Sequence, residues 1–154
     1  MAASCGHAAA PVKATTAVRI GAIPASALPS SLDGLRVQSE SDKTAVAHAS
    51  GSYAKAVGFF SLRQSRLVEA TLEIVQLLPS APNTSGFRRS LVNQVTGGIP
   101  SQVRLSGHNV YVAAGIGSAT STWFDGRVLL ILTTRSQFTT PRALLEAALG
   151  LHLS

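Results

Sequence analysis

Apolar positions recur along this chain in two rhythms, every second residue in some stretches and every third or fourth in others. The densest run is Val128–Leu132, unbroken aliphatic residues inside the stretch Asn109–Arg135. Such a strand needs cover on both faces and belongs near the middle of a sheet. Asp125-Gly126 lies just ahead of it. An Asp-Gly pair between β-formers favours a two-residue type I′ turn, because glycine accepts positive φ without strain. With those two residues in the turn, Phe124 faces Arg127, Trp123 faces Val128, Ser121 faces Leu130 and Ala119 faces Leu132. One face of the hairpin then carries Trp123, Val128, Leu130 and Leu132. The other carries Phe124, Thr122, Leu129 and Ile131.

Upstream, Asp33-Gly34 signals a turn and Leu35–Ser39 alternates as a short strand with Leu35 and Val37 on one side. Asp42–Ala49 reads as a weak helix capped by Ser41 or Asp42, interrupted at Gly51. Tyr53–Leu62 fits either a further helical turn or a strand through Val57, Phe59 and Phe60. Arg66–Leu78 fits both periods. As a strand it puts Val68, Ala70, Leu72 and Ile74 opposite Glu69, Thr71 and Glu73, and its clean alternation up to Pro79 favours that reading. Thr84 or Ser85 caps a helix whose inner face is Phe87, Leu91, Val92 and Val95, closed by Gly97-Gly98. Gln102–Leu105 is a short strand, and Gly107-His108-Asn109 turns into the central hairpin. Thr140 caps a last helix with Pro141 at its first position and Leu144, Leu145, Ala148 and Leu149 as its buried stripe. These elements predict an α+β fold, an antiparallel sheet of about five or six strands with helices packed on one face. Residues 1–33, rich in Ala, Ser, Thr and Pro, read as a flexible tether on which only Ile20, Ile23 and Leu28 touch the domain, and residues 34–154 form that domain.

Composition changes the picture in two respects. Only 13% of the residues are charged, yet the formal charge is +6, so anionic partners of several kinds come into view. The bases are scattered, with Arg63/Arg66 and Arg88-Arg89 the tightest groups, and aromatics to interleave them are few. That pattern reads as a solvated surface. A nucleic-acid-binding module, the alternative, requires Arg63, Arg66, Arg88, Arg89 and Arg104 to share one face. A single cysteine, Cys5, excludes an internal disulfide and a cysteine-cluster metal site. No apolar run approaches the length of a membrane span.

Candidate chemistry is sparse. Glu69 and Glu73 stand four residues apart, about 13 Å along a strand, too far for a glycosidase-type pair. On a helix they become neighbours, and a hydrolase using both is the less favoured enzyme reading. His7, His48, His108 and His152 share no metal-ligand spacing, and no cofactor is expected. The segment Gly115-Ile116-Gly117-Ser118 lacks the lysine and following helix of a phosphate loop, and reads as a bend in the ribbon. Tyr111, Trp123 and Phe124 are the candidate ligand-binding residues, lining an apolar pocket between sheet and helices.

At the amino end, Ala3-Ser4-Cys5-Gly6 resembles the lipobox of bacterial lipoproteins, where small residues precede a cysteine that becomes lipidated. The order of LVEATLEIVQL, GFRRSLVNQVTGG, NVYVAAG, STWFDGRVLLILTTR and PRALLEAAL is similar to the globular part of predicted actinobacterial lipoproteins of unassigned activity. The resemblance implies lipidation of Cys5, a secretory signal lying upstream of Met1, and a compact α+β domain on the extracytoplasmic face of the cell membrane. The expected function is therefore a non-catalytic, membrane-tethered domain that binds a protein, an envelope component or an apolar ligand.

Overall fold

Hairpins with two-residue loops build this fold. The computed structural model describes residues 20–40, 53–135 and 140–153. Among them run β1 (Gly21–Ala22), β2 (Ser31–Leu32), β3 (Leu35–Ser39), β4 (Ala54–Gln64), β5 (Leu67–Leu77), helix α1 (Ser85–Thr96), β6 (Ser101–Leu105), β7 (His108–Gly115), β8 (Ser118–Asp125), β9 (Val128–Thr134) and helix α2 (Arg142–Leu149). The strands form one sheet in the order β2-β3-β4-β5-β9-β8-β7-β6, all antiparallel, while β1 pairs parallel with β4. The aliphatic run predicted for mid-sheet is β9, held between β5 and β8.

Closing pairs such as Leu32↔Leu35, Leu105↔His108 and Asp125↔Val128 leave two residues in each loop. Asp33-Gly34 and Ser106-Gly107 take positive φ at both positions, the requirement of a I′ turn. The central hairpin departs from the sequence reading. Its loop is Gly126-Arg127, with only Gly126 at positive φ (57°), so Trp123 faces Leu130 and Ser121 faces Leu132. Tertiary contacts fix this choice. The Leu77 N–H donates to the Arg127 carbonyl at 2.9 Å, and Arg127 Nη1 donates to the carbonyls of Leu78 and Ala81 at 3.3 and 3.1 Å. The partner of each residue thus moves by two positions. Because the strand period is two, every side chain keeps its expected face.

Those faces carry two separate cores. Phe60, Leu62, Leu72, Ile74, Trp123, Leu130 and Leu132 pack on one side with Leu144, Leu145, Ala148 and Leu149 of α2. Val75, Leu77, Leu129 and Ile131 pack on the other with Phe87, Leu91 and Val95 of α1. The expected arrangement of five or six strands with helices on one face is therefore corrected. Among the described residues nine strands form the sheet, and two α-helices join cores on opposite faces. The run Val128–Leu132 of β9 explains why: it is apolar on both sides, and β5 adds Val75 and Leu77 to the second side, so each side demands cover.

The domain also reaches further back than residue 34. Gly21–Ala22 pairs with Ala56–Val57, and Ile23, Leu28 and Leu32 are buried in the core beside α2. Ile23 and Leu28, expected to touch the domain, are thus buried in it together with Leu32, whereas Ile20 stays exposed; single apolar side chains plug gaps there without any period. At the helix ends, Thr84 Oγ1 accepts from the Phe87 N–H at 3.2 Å and Gly97 takes φ 69°, as the capping signals predict. At α2 the cap position falls to Pro141. The Thr140 hydroxyl instead shares a 3.0 Å hydrogen bond with Ser121. The helix expected at Asp42–Ala49 lies outside the described residues.

Candidate functional site

The amino end of α1 stands over the β7–β8 ribbon, and between them lies an open cleft of about 690 Å³. Its floor is Phe124 and Tyr111, and its walls bring in Asn83, Arg88, Arg89, His108 and Asn109. Strand alternation places Tyr111 and Phe124 on the face that α1 covers, since Tyr111 pairs with Thr122 two residues from Phe124. Trp123 must then point the other way, and it is fully buried in the α2-side core. The aromatic trio expected to line one pocket is thus divided by the sheet. Tyr111 and Phe124 meet at the cleft, while Trp123 does not reach it. Polar side chains, not apolar ones, dominate the lining.

Arg88 fastens the cleft. Its guanidinium lies 5.0 Å from the centre of the Phe124 ring, and Nη2 donates to Asn83 Oδ1 at 3.1 Å and to the Gly126 carbonyl at 3.0 Å. All three partners are uncharged, so none of them neutralises its charge. Arg89, the next residue, is exposed, and no ion pair involves either arginine among the described residues. None of the described residues lining the cleft is an acid. The helix itself adds to the positive field. Its first turn contains no acidic residue, and Arg88 and Arg89 follow immediately, at the end where aligned peptide dipoles already present partial positive charge. Arginine belongs at the opposite end of a helix by that logic. No acid among the described lining residues compensates for this break with the local rule.

The other arginines divide. Arg104 adjoins the cleft through Asn109, with Nη1 3.5 Å from Oδ1. Arg63 lies at the far end of β4, six residues beyond Val57 of the α1-side core, about 20 Å along the strand. There Arg63 Nη2 donates to Glu40 Oε1 at 3.1 Å, Arg63 Nε donates to Ser61 Oγ at 3.0 Å, and Ser61 Oγ donates to the same carboxylate at 2.6 Å. The Ser61 hydroxyl and Arg63 hold the Glu40 carboxyl below its usual range. Arg63 is therefore committed to a pair and is remote from Arg88 and Arg89.

Glu69 and Glu73 are not brought together in a cavity. Leu62 pairs with Ala70 and Arg63 with Val68, so Glu69 is the extra residue of a β-bulge. It lines a cavity with Asp33, Gln64 and Arg135 that does not include Glu73. Glu73 stands in mid-sheet between Phe59 and Ile131, and burial pushes its carboxyl up to about 7. Of the histidines, His108 lines the cleft, and His152 Nδ1 lies 3.7 Å from Asp125 Oδ2. No group of three or more metal-ligating side chains gathers among the described residues, and no helix among them is long and apolar enough to cross a membrane. Cys5 lies outside the described residues.

No protein-family model matches this sequence, and no curated protein matches it. The site is therefore read from its own chemistry. From the sequence alone Arg88-Arg89 reads as solvated surface and Asn109 as a turn residue, and nothing singles out Asn83. The signal that could have found the cleft was positional: two arginines at the start of a helix whose cap was already legible.

Proposed function

We propose that this protein is a non-catalytic, membrane-tethered extracytoplasmic domain whose basic cleft binds an anionic component of the cell envelope. The observation that carries the binding part is the pairing of Arg88 and Arg89 at the positive end of α1, in a cleft lined by no acid among the described residues. An oxyanion seated there accepts from guanidinium donors and from the amides of Asn83 and Asn109. Charge-assisted bonds of this kind are the stronger ones a protein makes. The polar lining favours this ligand over the apolar one first expected. The tethered location rests on the lipobox-like Ala3-Ser4-Cys5-Gly6.

Titration with inorganic phosphate, followed by amide chemical shifts, tests the binding part. Movement is expected at Ser85, Gly86, Arg88 and Asn109, with affinity falling about tenfold in Arg89→Gln, the loss of one charge-assisted bond. Shifts scattered over all the basic residues would defeat the reading. For the location, the gene expressed with its own upstream sequence is expected to yield membrane-bound, acylated protein. Cys5→Ser should release it, and an unmodified wild-type cysteine would remove the tether from the account.

A further inference from the structure

Arg89 and Tyr111 border a second cavity as well as the cleft. This neighbour, about 320 Å³, is lined by Asn93, Ile99, Pro100 and Gln102 besides the two shared residues. The two cavities are therefore successive parts of one groove that runs beside α1, over β7 and onto β6. Its ends differ in chemistry. Arg88 and His108 stand at one end, with Asn83 and Asn109. At the other, the carboxamides of Asn93 and Gln102 flank exposed Ile99 and half-buried Pro100, with no charge beyond Arg89 among the described lining residues. From Ser85 to Asn93 the helix rises about 12 Å, longer than one small anion needs.

We infer that the ligand of this groove is an acidic oligosaccharide, with a carboxylated or phosphorylated sugar at the Arg88–Arg89 end and a neutral sugar across Tyr111 toward Asn93 and Gln102. This rests on the anion-binding reading and gives it a substrate class. A pyranose ring has a rim of hydroxyls and flatter patches of C–H. The first needs donors and acceptors in pairs, which carboxamides supply. The second needs a small rigid apolar surface, which Tyr111, Ile99 and Pro100 supply. A lipid tail would instead call for an enclosed apolar channel, and no carboxamide would belong in its wall. A single-stranded nucleic acid carries a phosphate at every step and is met by basic residues along the whole track. In this groove the positive charge is gathered at one end.

The test uses the full chain and four probes: glucuronate, a tetrasaccharide alternating glucuronic acid with N-acetylglucosamine, the methyl ester of that tetrasaccharide, and a ten-nucleotide oligothymidylate. Calorimetry is expected to give the tetrasaccharide at least about tenfold tighter binding than glucuronate, with esterification abolishing most of it. In the double variant Asn93→Ala/Gln102→Ala, which alters one half-buried and one exposed side chain, the tetrasaccharide should weaken about tenfold while glucuronate binding stays unchanged. An unchanged melting temperature confirms that the variant is folded. Equal affinity for monomer and tetrasaccharide, or tighter binding of the oligothymidylate, would overturn the sugar assignment and leave the anion site standing. Failure of both glucuronate and phosphate to bind near Arg88 would overturn the site itself.

Discussion

Between Phe59 and Ile131 the Glu73 carboxyl loses much of its hydration, and its pKa rises from the ordinary value near 4.5 to about 7. The folded state then holds a proton that the unfolded chain releases. Glu73 is neutral and harmless below pH 4.5. As pH climbs from there to about 7 the unfolded state gains from ionising while the folded state does not, so stability falls and then levels off. For a half-buried side chain the loss is about 1–2 kcal/mol, well under the unscreened value of the shift. Urea denaturation at pH 5 and pH 8 should show this extra loss in the wild type and its absence in Glu73→Gln. Parallel pH responses of the two proteins would remove Glu73 from the account. Gly58 makes a second, steric prediction. A Cβ there would meet the Phe60 ring at 2.5 Å and Ile23 Cβ at 3.0 Å, so glycine lets Phe60 fold flat over β4. Gly58→Ala should cost about 1–3 kcal/mol in the same denaturation assay, the range for overpacking a filled core. Neither residue was legible in advance. Glu73 reads as the polar side of an alternating strand, and Gly58 lies in a stretch that fits either helix or strand, until the neighbouring strands are in place.

At the scale of elements, alternation and capping carry far and register does not. The strand reading of Arg66–Leu78, the Thr84 cap and the Leu144–Leu149 stripe all agree with β5, α1 and α2. These are local signals, written within a few residues of where they act. Which two of Asp125, Gly126 and Arg127 form the turn is decided elsewhere. The carbonyls of Leu78 and Ala81 receive Arg127, and β5 sets the register of β9 through pairs such as Ile74↔Leu130. Similarly, the bulge at Glu69 arises from fitting β5 against β4, and nothing within Arg66–Leu78 announces it. The cleft was half legible for the same reason. Tyr111 and Phe124 stood out by type, whereas α1 had to be docked before Arg88 faced them. If Arg127 is the latch that selects the loop, Arg127→Ala should lower stability by about 1–2 kcal/mol for its lost hydrogen bonds. It should also speed amide exchange at Leu77, whose N–H donates to the Arg127 carbonyl. Unchanged protection there would mean that strand pairing alone fixes the turn.

Across the whole molecule, the sheet separates a well-buried side from a lightly held one, and the groove sits on the second. Within α2, Leu144, Leu145, Ala148 and Leu149 are all buried, half of that short helix, whereas α1 fully buries only Leu91 and Val92 along a longer span. Local opening free energy follows buried apolar contact, so α1 should open more readily than the sheet beneath it. Ligand binding and α1 docking are then coupled, because the groove exists only while α1 lies against β7 and β8. A ligand that binds only the docked state stabilises it in proportion to the logarithm of its concentration over Kd. Hydrogen exchange followed by mass spectrometry should therefore show α1 exchanging before β5 and β9 in the free protein. With glucuronate or phosphate at about one hundred times Kd, protection of α1 and β7 should rise by up to about a hundredfold, while α2 changes little. Leu91→Ala, which thins the α1-side core by about 2–3 kcal/mol, should weaken anion binding without touching any groove residue. Uniform protection of both helices would mean that α1 is a fixed wall, and the affinity of the groove would then depend on Arg88 and Arg89 alone.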